Sequence, residues 1–315
     1  MDRDKSSGDF PACPPPPPPL PPRLLAGKGI PAVSSCGDFR EDDVASLDKA
    51  IGRVTDVNLA FRRKPFFSRY TDLRSQLQEG PKCGLVALSI ATSKTNFFKS
   101  ADELFEEALA HGYTTQGEMY SCRNMARLIQ KTTEFSTFII EGGITSHLDC
   151  ILSCLTNKGF MLVPYDADRN HAPCCKKGHS AHWAVISGVV VFARSEEPGD
   201  VRSVHVGGYP ACRCSEDGFF AAAETDRPPR IVRDGPRTYL CAEEGDAAAA
   251  AEGEIYLAGK QGKSRHLALW SLRELAESNA NLTELSEQQK TKNFAVPDGG
   301  VAAGLRNQAI LLNLR

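Results

Sequence analysis

The chain has 315 residues, and its 37 Lys and Arg against 39 Asp and Glu give a formal net charge of −2. This balance excludes the basic surface of most nucleic-acid-binding proteins, so we expect no nucleic-acid partner. Hydrophobic residues make up 41% of the chain, but no apolar run approaches the roughly 20 residues of a membrane span, and the polar N-terminus lacks the apolar core of a secretory signal. With eleven cysteines, an odd number, the chain is predicted to be cytoplasmic, without membrane contact and with reduced thiols.

Proline dominates the N-terminal part of the chain. Pro14 to Pro19 form an unbroken run, and Pro21 and Pro22 follow it closely. Consecutive prolines fix φ and remove backbone donors, which favours a polyproline II helix and prevents packing in a core. We therefore interpret residues 1–59 as a disordered, proline-rich tail and residues 60–315 as the folded domain.

The patterned region predicts helices and strands in alternation. Ser100 and Glu103 have the spacing of a capping box, at the start of a helix that ends at Gly112. Further helices are predicted over Met119–Lys131 and after Ser146 as N-cap. Apolar and β-branched runs predict strands at Phe135–Ile140, Phe160–Val163, Trp183–Phe192, Ile255–Ala258, His266–Trp270 and Ile310–Leu314.

Residues 194–251 differ from their surroundings in composition, because they are rich in Pro, Gly and charged residues and contain an alanine run. We predict a mobile insert here, in which Arg202–Val206 and Tyr239–Leu240 have the pattern of short strands. The residues on either side of the insert suffice for one α+β domain and are too few for two.

Residues 78–88, with the sequence QEGPKCGLVAL, carry the strongest chemical signal. A Gly-Pro turn delivers Cys83 to the start of an apolar helix, where free N–H groups stabilise a thiolate. Gly84 is expected to let a substrate approach the backbone closely. The Cys83 N–H and a glutamine amide a few residues upstream can both donate to one oxyanion. The alternative is that Cys83 is a small buried residue of an apolar helix.

A thiolate nucleophile needs a base, and His182 is the best-placed histidine. It directly precedes the buried strand that starts at Trp183, whereas His179 lies in a polar loop. We expect Cys83 and His182 to form a thiolate–imidazolium pair, with the thiol pKa lowered and the imidazole pKa raised. The alternative for His182 is a strand-end histidine bonded to the backbone.

These motifs resemble those of papain-like cysteine peptidases, most closely the branch that processes bacterial leader peptides and bacteriocins. The proline-rich tail, the sequence of residues 78–88, the HWAV motif from His182 and the Gly262-Lys263-Ser264 string with Trp270 further on together resemble the eukaryotic actin maturation protease family. The resemblance implies an α+β, papain-like fold. In that fold a helix that bears the Cys packs on an antiparallel sheet that bears the His.

Members of that family remove the acetylated first residue, Met or Cys, from new actin. The resemblance therefore implies a cysteine-type aminopeptidase that acts on actin without a cofactor or metal. It implies Cys83 as nucleophile, His182 as base and Gln78 as oxyanion donor, with Gln76 as the alternative to Gln78. It also favours profilin as the partner of the proline-rich segment Pro14–Pro22, although SH3 and WW domains bind the same conformation.

The group that orients the imidazole of His182 stays open in the sequence. The alternatives are a Cys–His dyad without a third group, or one of the residues Asp200, Asp217, Ser264, Asn279 and Asn281.

Two other functions compete with the peptidase interpretation. One is a metal-binding module, because thiols and imidazoles are zinc ligands, although adjacent cysteines are an unusual start for a zinc site. Its candidate ligands are Cys174, Cys175, His179 and His182, with Cys212 and Cys214 as further thiols. The other is a non-catalytic scaffold that binds actin or profilin through the tail.

Overall fold

The computed structural model describes residues 46–54, 67–193, 203–205, 230–234, 237–241 and 250–314. These residues form a mixed α+β fold around a ten-stranded sheet with the order β2-β10-β3-β4-β8-β5-β7-β6, in which β1 also pairs with β4 and β9 with β8. Every pairing is antiparallel except that of β5 with β8. The fold class predicted from the sequence, α+β with an antiparallel sheet, is therefore confirmed.

The strands and helices of the described residues are numbered separately in chain order. The strands are β1 (Phe67–Tyr70), β2 (Phe135–Glu141), β3 (Phe160–Asp166), β4 (Ala181–Ala193), β5 (Ser203–His205), β6 (Arg230–Asp234), β7 (Arg237–Cys241), β8 (Ala250–Gln261), β9 (Ala268–Ser271) and β10 (Gln308–Leu314). The helices are α1 (46–54), α2 (Cys83–Thr92), α3 (Ala101–Ala110), α4 (Cys122–Thr132), α5 (Leu148–Thr156), α6 (Leu272–Ala280), α7 (Glu287–Lys290) and α8 (Gly300–Gly304).

The central strands are buried on both faces. Along β4, Trp183 and Val185 belong to the hydrophobic cluster that includes α2, α3 and α4. The alternate residues Ala184 and Ile186 belong to the cluster that includes α5 and α6. Because successive side chains of a strand point to opposite faces, helices on both sides require the continuous apolar run that the sequence has here.

The tail prediction needs a correction at its C-terminal end. Residues 46–54, inside the predicted tail, form the helix α1. Ala50 is buried against Ala258 of β8 and Leu267, so this part of the chain belongs to the packed domain. The remaining residues of the predicted tail lie outside the described residues. The predicted insert is described only at β5, β6, β7 and the start of β8.

The local helix signals had different outcomes. The capping box at Ser100 and Glu103 is confirmed, since each residue bonds the other's backbone N–H at the start of α3. Helix α4 begins at Cys122, with Ser121 as its cap, and so starts three residues after the predicted Met119. Ser146 is not a cap, because it lies within the 3₁₀ turn Thr145–His147 that precedes α5. Among the described residues, no helix combines the length and apolar character needed to cross a bilayer.

Candidate active site

Cys83 is the first residue of α2, as the sequence predicts. Gly80 makes the preceding turn with φ of +65°, and Lys82 is the N-cap residue of the helix. The Lys82 ammonium lies 2.8 Å from Asp102 of α3 and above the Phe105 ring, 4.7 Å from its centroid. At this helix start, the backbone N–H groups of Cys83 and Gly84 are directed to the Cys83 thiol.

His182 is the second residue of β4 and is 8% exposed. Its ring is T-shaped to that of Tyr165, with ring centroids 5.8 Å apart, and it stacks on His171, with centroids 6.0 Å apart. The next residue, Trp183, directs its backbone N–H to the Cys83 thiol. This contact brings the start of β4 to the start of α2.

Gln261, the last residue of β8, holds the imidazole of His182. The Gln261 Oε1 atom lies 3.2 Å from His182 Nε2 and also accepts a hydrogen bond from the Lys263 N–H. Because a backbone N–H can only donate, the second bond identifies the Gln261 atom as oxygen. His182 Nε2 therefore carries a proton, which leaves Nδ1 as the basic nitrogen.

Sequence reasoning missed Gln261, because its apolar strand signal ends at Ala258. The candidates named instead make other contacts. Asn279 donates to the carbonyl oxygen of Pro164, Asn281 accepts from the Lys177 N–H, and Ser264 accepts from the His266 N–H. Asp200 and Asp217 lie outside the described residues. The usable signal was position, since Gln261 directly precedes the Gly262-Lys263-Ser264 string.

The ionisation of Cys83 and His182 differs from the sequence prediction. Burial raises the pKa of the Cys83 thiol to about 11, although the backbone N–H groups of Trp183 and Gly84 lower it. Burial also lowers the pKa of His182 to about 4, against the hydrogen bond to Gln261, which raises it. Both groups are therefore neutral at pH 7. The predicted thiolate–imidazolium pair is wrong for this state. The reason is that burial destabilises each charged form by more than the nearby hydrogen-bonding groups stabilise it.

Gln78 reaches the same site and Gln76 does not. The Gln78 N–H donates to the Gly262 carbonyl at 2.7 Å, which pins Gln78 beside the end of β8. Its side-chain Nε2 donates to the Gly80 carbonyl at 2.9 Å, and its Oε1 is buried without a hydrogen-bond partner among the described residues. Gln76 instead accepts from Ser89 Oγ at 3.0 Å, almost two turns along α2 from Cys83.

Gly84 has a different role from the predicted one. It is buried, and a Cβ atom there would lie 2.8 Å from Met125 Cε and 3.0 Å from Met119 Cβ. The missing side chain therefore allows α2 to pack against these methionines. It does not open the backbone to a substrate.

A cleft of about 160 Å³ joins Gln78, Cys83 and His182. These residues line one part of it, together with Pro81, Ala181 and Trp183. The remaining walls come from the segment before α4 and from the C-terminal part of the chain, namely Glu118, Met119, Tyr120, Gln289, Lys292, Phe294 and Leu305.

The structure does not assemble the metal site considered above. No group of three or more His, Cys, Asp or Glu side chains in the described part of the chain is arranged to hold a metal ion. His179 Nε2 lies 3.2 Å from Glu284, whereas His182 bonds Gln261. Cys174 and Cys175 are free thiols in the loop before β4, and Cys212 and Cys214 lie outside the described residues.

Comparison with known proteins identifies the family. A family model described as "Actin maturation protease-like, C-terminal domain" matches residues 73–190. The human actin maturation protease is 37% identical over 252 residues, which cover 76% of this chain and 64% of the human protein. The proteins of the same name from Xenopus tropicalis and Drosophila melanogaster are 36% and 30% identical, and the matches cover 70% and 72% of their lengths. The chain belongs to the actin maturation protease family.

The matches cover only part of the relatives and only part of the candidate site. The chain spans 64% of the human family member and 62% of the mouse one, which is less than two thirds of either. The segment that the family model matches contains Gln78, Cys83 and His182 and ends before Gln261. The fourth residue of the constellation therefore comes from β8, beyond the matched segment.

Proposed function

We propose that this protein is a cysteine aminopeptidase with a papain-like fold, which removes the acetylated first residue, Met or Cys, of immature actin in the cytoplasm. One observation carries the proposal: Cys83 at the start of α2 and His182 at the start of β4 line a single cleft with Gln78. The packing of α2 on β4 supports the fold assignment. Membership of the family, whose members are named for actin maturation, supports the substrate.

Because the Cys83 thiol and the His182 imidazole are both neutral, the first step includes a proton transfer between them. As the Cys83 sulfur attacks the carbonyl carbon of the acetylated residue, its proton passes to His182, which acts as general base. A carbon–sulfur bond forms, and the carbonyl oxygen becomes an oxyanion. The hydrogen bond from His182 to the Gln261 oxygen stabilises the imidazolium that results.

The oxyanion and the leaving group are handled by neighbouring groups. The Cys83 N–H and the second hydrogen of Gln78 Nε2, which has no partner among the described residues, donate to the oxyanion. The carbon–nitrogen bond then breaks, and His182 gives its proton to the departing amine. Water attacks the thioester while His182 takes a proton from it, and the acetylated residue leaves as the carbon–sulfur bond breaks and the thiol regains its proton.

The size of the cleft fits the removal of one residue. A protein cavity of about 150 Å³ holds one benzene molecule. At about 160 Å³, the cleft has room for a group of about that size, such as the first side chain of the substrate, and not for a longer segment. The bulk of the substrate protein stays outside.

The test is mass spectrometry of the actin N-terminus. Purified protein is incubated with N-acetylated actin, and we expect a mass loss equal to one acetylated residue. Cys83→Ala removes the nucleophile, so turnover falls by up to about a millionfold while the fold is kept. Cys174→Ala, which changes a free thiol outside the cleft, is the control and keeps its turnover. Intact actin with the wild-type protein would instead favour the scaffold function.

A further inference from the structure

One wall of the cleft comes from a segment far from Cys83 in sequence. Residues 283–295, here called the strap, run from the end of α6 through α7. Three strap residues, Gln289, Lys292 and Phe294, line the cleft. Contacts at both ends of the strap hold this wall in place.

The first end of the strap is tied to the loop that leads to His182. The N–H groups of Thr283 and Glu284 both donate to the Lys177 carbonyl at 2.9 Å. Just before the strap, Asn281 Oδ1 accepts from the Lys177 N–H at 2.6 Å. This end is therefore fixed on the His182 side of the cleft.

The other end of the strap is tied to the buried carboxylate of Glu118. Its Oε1 accepts from the Ala295 N–H at 2.7 Å and from the Thr115 N–H at 2.9 Å, and its Oε2 accepts from the Gln116 N–H at 2.7 Å. Burial alone would raise the pKa of Glu118, but these backbone donors hold it below its usual value, so the carboxylate stays charged. The Thr115 hydroxyl also bonds the Asn293 carbonyl.

The middle of the strap is ordered as well. A capping box between Ser286 and Gln289 starts α7. The Phe294 ring packs on Tyr120 with centroids 5.7 Å apart, and the Lys292 ammonium lies 5.4 Å from the centre of the Phe294 ring. The strap thus forms a fixed wall that runs from the loop before His182, at Lys177, to the carboxylate of Glu118.

We infer that the strap is the stop that limits this enzyme to the removal of one residue, an inference that rests on the proposed function. The bulk of an actin-sized substrate stays outside the cleft, so the short acyl side must occupy it. An acyl chain longer by one residue meets Phe294 and Lys292 before its carbonyl reaches Cys83. These two are specificity-determining residues, since they exclude substrates without touching the reacting atoms.

The experiment compares two peptides that share one scissile bond. One begins with acetyl-Met, and the other carries an additional glycine, as acetyl-Gly-Met. We expect the wild-type protein to cut only the first. In Phe294→Ala and Lys292→Ala the ratio of kcat/KM for the longer peptide to that for the shorter should rise by at least about tenfold. Lys290→Ala, an exposed change on α7 outside the cleft, should leave the ratio unchanged.

Each outcome bears on the inference. If the wild type cuts both peptides equally, or if both variants cut the shorter peptide with an unchanged ratio, the strap is not the stop. If the wild type cuts neither peptide, the proposed function itself fails. Thermal unfolding controls for folding, and Lys292→Ala decides the matter should Phe294→Ala unfold, because Lys292 is exposed and its loss leaves no cavity.

Discussion

Gln261 acts on His182 through a single hydrogen bond, and loss of this bond should change the pH dependence of kcat/KM. Because it raises the pKa of His182, Gln261→Leu should lower that pKa and shift the acid limb of kcat/KM to lower pH. The ring also loses its orientation, so the plateau should fall by roughly a hundredfold. Gln261→Glu places a carboxylate there and should shift the limb to higher pH.

The pH–rate profile of kcat/KM for the three proteins checks this prediction. A purely structural role for Gln261 would lower the plateau in both variants without moving the limbs in opposite directions. A limb that stays in place in both variants would therefore show that Gln261 does not position His182.

His182 also links stability to pH. Its pKa is lowered from 6.5 to about 4, so the unfolded chain binds a proton more tightly than the folded protein. The stabilisation is fully present above pH 6.5 and is lost as the pH falls towards 4. We expect this residue to account for about 3 kcal/mol of the loss in unfolding free energy over that range.

Urea unfolding at a series of pH values measures this effect. His182→Gln cannot titrate, so its unfolding free energy should fall less steeply over the same range. Parallel curves for the two proteins would contradict the buried, neutral imidazole.

Among the elements, β1 depends on one glycine of β4. A Cβ atom at Gly188 would lie 2.4 Å from the Arg69 carbonyl oxygen and 2.8 Å from Tyr70 Cα, both in the backbone of β1. Backbone atoms cannot rotate away, so Gly188→Ala should displace β1 and destabilise the fold by about 1–3 kcal/mol in urea unfolding.

Gly52 of α1 is the matched control for this change. Apart from its own helix, no atom of the described residues lies within 4 Å of a Cβ atom built at Gly52, so Gly52→Ala should stabilise the protein by up to about 1 kcal/mol through helix propensity. Equal effects of the two substitutions would mean that β1 is not packed on β4 as described.

Elements with local signals were predictable. The capping box at Ser100 involves only residues of the first turn of its own helix. The Gly-Pro turn before Cys83 is likewise a local signal for the start of α2. Ser146 failed as a cap because Gly142 and Gly143, both with positive φ, turn the chain into a 3₁₀ segment first. Strand β8 was predicted too short, since its end at Gln261 is polar and is held by pairing with β4.

For the whole molecule, the proline-rich tail can be tested by its effect on the cleavage of profilin-bound actin. Deleting residues 1–45 keeps α1, which packs in the domain. If profilin binds the tail, as the sequence predicts, kcat/KM on profilin-bound actin should fall by about tenfold or more, because a tether raises the local concentration of its partner. Cleavage of a short acetylated peptide should not change.

Steady-state kinetics on both substrates measure this difference. Replacing Pro14–Pro19 by alanines in the full chain is the control and should reproduce the loss on the profilin complex. Equal losses on peptide and complex would mean that the tail acts on the catalytic domain itself.

The sequence by itself determined the position of Cys83 at a helix start, the position of His182 at a strand start and the α+β class, because turn residues, helix ends and apolar periodicity act over a few neighbours. Only the tertiary structure decided that Gln261, 79 residues from His182, holds the imidazole, and that Gln78 rather than Gln76 reaches the cleft. It also reversed the expected pKa shifts of Cys83 and His182. The physical reason is that burial depends on every element packed around a group, and no local pattern records it.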